Sequence, residues 1–197
     1  MSQTIIAGGT LADMAAEVDA WCQSKGWRDE PILFDEAMEL LHTEVAEISD
    51  AWRLWGLADH TDRRTEEQEQ LGEWPKPEGV GSECADVLIR LLDDCVLFGC
   101  DLDAEVTAHH GRYGLHDRFL VNTNALSTMI AKASLAYGDE SVAGEPAPRW
   151  TWRKQFGAIY VFLAQFCEHY GVDLQAEYRR KMQYNHTRPY RHGNKRR

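Results

Sequence analysis

The sequence predicts an all-α protein, a helical bundle built from two degenerate helical-hairpin repeats that pack as a pseudo-dimer. Three observations carry that prediction. The 197 residues include only 6 prolines, apolar residues recur every three or four positions over long stretches, and no run of β-branched residues shows the alternation of a strand. With 44% hydrophobic residues, including 7 Trp, 7 Tyr and 6 Phe, the chain can fill the core of one domain spanning residues 1–197. Disordered, collagen-like and low-complexity classes are thereby excluded.

The helical periodicity delimits the elements in order. A first helix runs from Leu11 to Ser24, and a second from Phe34 to Trp55, where Leu41, Val45, Ile48 and Trp52 form one stripe with Glu44 and Glu47 at its margin. After a polar loop from Asp59 to Pro77, a third helix covers Gly81 to Phe98. Its Val87, Leu88, Leu91, Leu92, Cys95 and Val96 sweep an apolar arc that leaves Glu83 and Asp86 on a narrow polar strip, and Arg90 is expected to pair with Asp93 on the helix surface. A short helix, Leu102 to His110, closes the first half. The second half repeats the plan with Asn122 to Tyr137, a loop from Gly138 to Pro148, then Arg149 to Tyr170 and Leu174 to His186, which Pro189 stops. The longest apolar run, Ala158 to Ala164, is far too short to span a bilayer, and the first 20 residues lack a signal-peptide pattern. A soluble cytoplasmic protein with no membrane partner is expected. Five cysteines without a CxxC pair indicate reduced, mostly buried thiols.

The repeat shows in register. Gly99-Cys-Asp-Leu-Asp-Ala-Glu105 matches Gly171-Val-Asp-Leu-Gln-Ala-Glu177 at an offset of 72, which also lays Cys95 on Cys167. One helix earlier, Leu41, Ala46, Ala51 and Trp52 fall on Leu126, Ala131, Ala136 and Tyr137 at an offset of 85. The expected repeats are thus residues 11–110, 122–187 and a basic tail over 188–197. Glu44, Glu47, Glu83 and Asp86 of the first repeat are replaced by Met129, Lys132, Gln155 and Ala158 in the second, the mark of one working site and one vestigial one.

Two pairs of acids spaced by three each share a helix face, and two such helices packed antiparallel bring four carboxylates to one seam. Two unit charges about 5 Å apart repel by roughly 3 kcal/mol at an effective dielectric near 20, so such a cluster needs cations or protons. Oxygen-only ligands select hard ions, Mg²⁺ or Mn²⁺. The whole chain has 21 basic and 32 acidic side chains, a net of −11, yet eight bases and no acid follow Glu177, so residues 1–177 carry −19. That body disfavours nucleic acid as a partner. Lys181, Asn185 and Arg188 share a face at spacings of four and three, and with His192 and Lys195 form a grip for phosphate oxygens. Trp21, Trp27, Phe34 and His42 fit either a base pocket or the core, while His109, His110 and His116 lack the spacing of a metal site. Tyr178, Tyr184 and Tyr190 interleave the tail's bases in a manner compatible with RNA stacking.

Leu40-Leu-His-Thr-Glu-Val-Ala-Glu47, the stretch from Lys76 to Asp93 and the C-terminal signature from Lys181 to Lys195 together resemble the MazG-like, all-α nucleoside triphosphate pyrophosphohydrolases, relatives of the dimeric dUTPases. The family usually has a second Glu where this chain has Thr43, and a shorter gap between its acidic motifs. The resemblance implies the reaction (d)NTP + H₂O → (d)NMP + PPi with Mg²⁺. It further implies Glu44, Glu47, Glu83 and Asp86 as catalytic metal ligands, Lys181, Asn185 and Arg188 as phosphate contacts, and a homodimer. The competing expectation is a non-catalytic helical module that binds a nucleotide or a partner.

Overall fold

A computed structural model describes residues 9–58, 60–61, 69–70, 74–143 and 151–194. Helix α1 (Leu11–Ser24) begins at Thr10, whose hydroxyl accepts from the Asp13 N–H while the Asp13 carboxylate accepts from the Thr10 N–H, a closed capping box. Helix α2 (Phe34–Trp55) starts where the Glu36 carboxylate takes the Leu33 N–H. Helix α3 (Val80–Phe98) ends on Gly99, and α6 (Trp152–Tyr170) on Gly171; both glycines adopt the left-handed conformation that closes a helix at no steric cost. Two residues later Asp101 and Asp173 cap α4 (Leu102–Ala108) and α7 (Leu174–Thr187) through the N–H groups of Ala104 and Ala176. Helix α5 spans Phe119–Ala143, and α8 is a single turn, Arg191–Asn194.

The fold is all-α, as the periodicity predicts. Differences lie at element ends. Helix α5 begins three residues before the predicted Asn122 and continues through Gly138 to Ala143, although Gly carries one of the weaker helix propensities. The remainder of that expected loop, residues 144–148, lies outside the described residues. A two-residue antiparallel ladder, β1 (His60–Thr61) with β2 (Pro77–Glu78), pairs His60 with Glu78 and Thr61 with Pro77. No strand is visible in the sequence there, since two residues are too short for an alternating pattern.

Helices α3 and α6 begin and end 72 residues apart, α4 and α7 begin 72 apart, and α2 and α5 begin 85 apart, the offsets read from the sequence. Ring contacts fix their directions. Phe34 meets Phe98 while Glu44 meets Arg90, so α2 and α3 are antiparallel; Tyr137 meets Trp152 while Phe119 meets Tyr170, so α5 and α6 are too. Helices α2 and α5 pack antiparallel from the stacked Phe34 and Tyr137 to the stacked Trp52 and Phe119. The short third helices cross over: α4 packs on α6, with Glu105 against Gly157, and α7 packs on α3, with Glu177 against Gly81. That exchange carries the basic C-terminal segment to the acidic helix.

The core runs through all the long helices, from Val18 and Leu41 through Leu88 and Leu91 to Phe156, Ile159 and Phe166. Helix α3 lies at its centre, against α1, α2, α6 and α7, and buries most of its side chains. Val96, placed on the apolar arc by the sequence, is exposed. Arg90 and Asp93 do not pair with each other as expected. Arg90 reaches across to Glu44 at 2.9 Å, and Asp93 is bridged by Arg28, because their side of α3 faces α1 and α2 rather than water. All five cysteines are free, four of them buried. Among the described residues no helix is long and apolar enough to cross a membrane.

Candidate functional site

Glu44 on α2 and Glu83 and Asp86 on α3 present carboxylate oxygens that all lie within 4.8 Å of one another. The antiparallel packing of α2 and α3 produces this meeting, since each helix contributes acids from one face within a turn. Glu47, one turn on from Glu44, is exposed and falls outside that group, although it lines the same cleft. The cluster is partly neutralised by the protein's own bases. Arg90 holds Glu44, and Lys181, only 2% exposed, places its ammonium 2.5 Å from Asp86 and 3.9 Å from Glu83 while donating to the Ser82 hydroxyl at 2.8 Å.

One carboxylate oxygen of the group is unsatisfied. Glu83 is 4% exposed, and its Oε2 is buried without a hydrogen-bond partner. A buried carboxylate oxygen in that state costs free energy unless a proton or a cation meets it. Burial pushes the Glu83 carboxyl up to about 8 despite the attraction of Lys181, and burial raises Glu44 as well, against the pull of Arg90. Three oxygen donors, one with an unfilled lone pair inside the protein, fit a hard divalent cation.

A cation must displace the Glu83 proton, which the metal-free protein retains below pH 8. Mn²⁺ titrated at pH 7 is therefore expected to release close to one proton per site, and its affinity to rise about tenfold per pH unit up to pH 8 and then level off. Calorimetry in buffers of different ionisation enthalpy measures that release; a pH-independent affinity between 6 and 8 would contradict it.

Glu44, Glu47 and Asp86 line a cleft of about 310 Å³, and Glu83 does not. Asn185, Arg188 and His192 line it with Lys181, so four of the five residues of the expected phosphate grip meet the acids; Lys195 lies outside the described residues. The Asn185 side chain is 3% exposed, and the Arg188 guanidinium sits 5.6 Å above the Tyr184 ring. Trp21, Trp27, Ile89 and Cys22 also line the cleft, and the His192 ring packs on both tryptophans. Of the aromatic set left open between base pocket and core, Trp21 and Trp27 reach the cleft. Phe34 is in the core against Tyr137 and Phe156, and His42 does not line the cleft. Three charged lining residues are not among the expected site residues: Lys76, and Arg90 and Asp93, which are expected only as a surface ion pair. Lys76, beside the turn that opens α3, pairs with Glu78 and was detectable only as the first residue of the second acidic motif.

The C-terminal segment is strapped over the turn after α1. Lys25 donates to the His186 and Arg188 carbonyls, the Trp21 indole N–H donates to the Asn185 carbonyl, and the Arg191 N–H returns to the Lys25 carbonyl. Tyr190 lies over Gly26, where a Cβ would come within 2.3 Å of its ring and where φ is +76°. Only glycine suits that place. Tyr178 and Tyr184 are buried, Tyr178 donating to Glu17, so two of the three tyrosines proposed to stack on RNA have no face to offer it.

Among the described residues His109, His110 and His116 form no group able to hold a metal ion; Glu44, Glu83 and Asp86 form the group that could. No protein-family model, curated protein or solved structure matches this chain.

Proposed function

We propose that the protein is a Mg²⁺-dependent nucleoside triphosphate pyrophosphohydrolase, converting (d)NTP and water to (d)NMP and pyrophosphate. The observation that carries this reading is that Glu44 and Asp86, which converge with the buried and unsatisfied Glu83, line one cleft with four residues of the basic C-terminal segment and two tryptophans. That combination matches the parts of a nucleoside triphosphate: a polyphosphate that needs both metal and cationic side chains, and a flat base that needs aromatic surface.

In this reading Glu44, Glu83 and Asp86 hold Mg²⁺, with Glu47 beside them. When bound, Mg²⁺ offsets polyphosphate charge and acidifies water. Arg188 and Lys181 meet phosphate oxygens, Asn185 offers its carboxamide to the same groups, and His192 with Trp21 and Trp27 excludes water from one flank. The attacking water forms a bond to the α-phosphorus and the bridging bond to the β-phosphate breaks, with pyrophosphate as leaving group. In this reading Glu47, exposed and lining the same cleft, takes the water's proton. The matching helix boundaries, glycine C-caps and aspartate N-caps of the two halves support descent from a duplicated hairpin in which one copy kept the acids.

Incubation with a panel of NTPs and dNTPs and Mg²⁺ tests the reading. Pyrophosphate and monophosphate are expected in equal amounts, with no orthophosphate. Thermal stabilisation by a nucleotide without product, and equally without Mg²⁺, would instead identify a non-catalytic binding module.

A further inference from the structure

The ammonium of Lys181 is already where a cation is wanted. We propose that Lys181 is the resident counter-cation of the acidic cluster, one that a divalent ion displaces, so that its charge becomes available to the polyphosphate only after the metal has entered. This inference rests on the proposed metal-dependent reaction and adds an order of events to it.

The geometry supports exchange rather than simultaneous service. Lys181 is one of the most deeply buried side chains of the protein, and Nζ contacts Asp86 at 2.5 Å, the Ser82 hydroxyl at 2.8 Å, the Pro77 carbonyl at 3.5 Å and Glu83 at 3.9 Å. Two of these four contacts are with the cluster itself, since Asp86 and Glu83 are two of its three converging carboxylates. An ammonium hydrogen-bonded to a carboxylate uses the lone pairs that a metal would take, and adjacent positive charges repel. The four acids Glu44, Glu47, Glu83 and Asp86 are faced by Arg90, Lys76 and Lys181, with Lys76 shared with Glu78. A dication adds two positive charges beside these bases. Arg90 contacts one carboxylate of the converging group, Glu44, and Lys76 is paired with Glu78, whereas Lys181 contacts two, Asp86 and Glu83, and is the base whose partners a metal contests most. A lysine suits this role because its flexible stem lets the ammonium swing, whereas the planar guanidinium of Arg is held by its fork. The cleft beyond Asp86 supplies the room to swing into.

The test uses Mn²⁺ alone, without nucleotide, on the full chain. Lys181→Met is expected to bind Mn²⁺ about tenfold more tightly than wild type, while Lys181→Arg, which keeps the charge, binds no more tightly than wild type. Weaker or unchanged Mn²⁺ binding by Lys181→Met overturns the inference, because it would make Lys181 a support for the site or a bystander. A second measurement avoids variants: acetylation of Lys181 by acetic anhydride, read by mass spectrometry, is expected to rise at least about threefold when Mn²⁺ saturates the wild-type protein, since its ammonium leaves the cluster. Unchanged labelling in Mn²⁺ likewise overturns the inference. Failure of both wild type and Lys181→Met to bind Mn²⁺ removes the proposed function together with it, whereas binding without competition removes the inference alone.

Discussion

Glu83→Gln protein is expected to lose Mg²⁺-dependent pyrophosphate release by about a thousandfold and, in the presence of a chelator at pH 8, to melt at a higher temperature than wild type. The two changes have one cause. Glu83 is buried on α3 with an oxygen that no hydrogen bond satisfies, and burial holds its carboxyl near pH 8 instead of the ordinary 4.5. Between those values the folded protein binds a proton that the unfolded chain releases. Its stability therefore falls as pH rises through the window from about 4.5 to 8 and is lowest above 8. Gln has the same shape and no charge at any pH, so the variant lacks that slope. Near pH 5 the two proteins are expected to melt together, and at pH 8 the variant is ahead by several degrees, at roughly 2–4 °C per kcal/mol for a chain of this size. Saturating Mg²⁺ reverses the order, because wild type gains a bound ion that the variant has lost a ligand for. Melting curves across pH, with and without Mg²⁺, measure all of this. A Glu83→Gln protein that turns over normally would remove Glu83 from the site, and one less stable than wild type in chelator at pH 8 would refute the electrostatic account.

Phe156→Ala should give the opposite signature. Phe156 is fully buried on α6, 5.9 Å ring to ring from Phe34 and 5.2 Å from Trp152, in the aromatic cluster that joins α2, α5 and α6. Truncation removes the ring from a site packed on all sides, at a cost of about 4 kcal/mol and a fall of roughly 10 °C in Tm. The residue lines no part of the cleft, so at a temperature where the variant stays folded its kcat is expected to remain within about twofold of wild type. A large loss of kcat in folded Phe156→Ala protein would show that the aromatic cluster and the cleft are coupled. Together the two variants separate the part of the protein that makes the fold from the part that strains it.

Much of this arrangement is legible in the residues because helices are local objects. The spacing of Leu41, Val45 and Ile48 sets the buried side of α2, and the same spacing puts Glu44 at its edge. Gly99 and Gly171, each followed two residues on by a capping Asp, mark helix ends that the structure reproduces at the same residues in both halves. The acids of α2 and α3 could be paired on paper because an antiparallel hairpin is the simplest way to bury both stripes. What escaped the sequence is which polar groups choose one another. Arg90 and Asp93 are three apart and would suit a surface pair, but α3 is central, and each found a partner on another helix. Lys181 reads as an exposed phosphate contact, since lysine is among the residues least often buried. Its burial follows from the crossing of α7 onto α3, a relation between residues about a hundred positions apart.

The sequence by itself determined the helical class, the positions of most of the helices, the acids of one face and the basic C-terminal segment, because those depend on periodicity and on groups within one turn of each other. Only the tertiary structure decided that Glu47 stands apart from Glu44, Glu83 and Asp86, that Trp21 and Trp27 close the cleft while Phe34 does not, and that an ammonium sits among the carboxylates. The reason is physical. The free energy of a charged group depends on what replaces its water, and for a buried group that is settled by distant parts of the chain that pack against it.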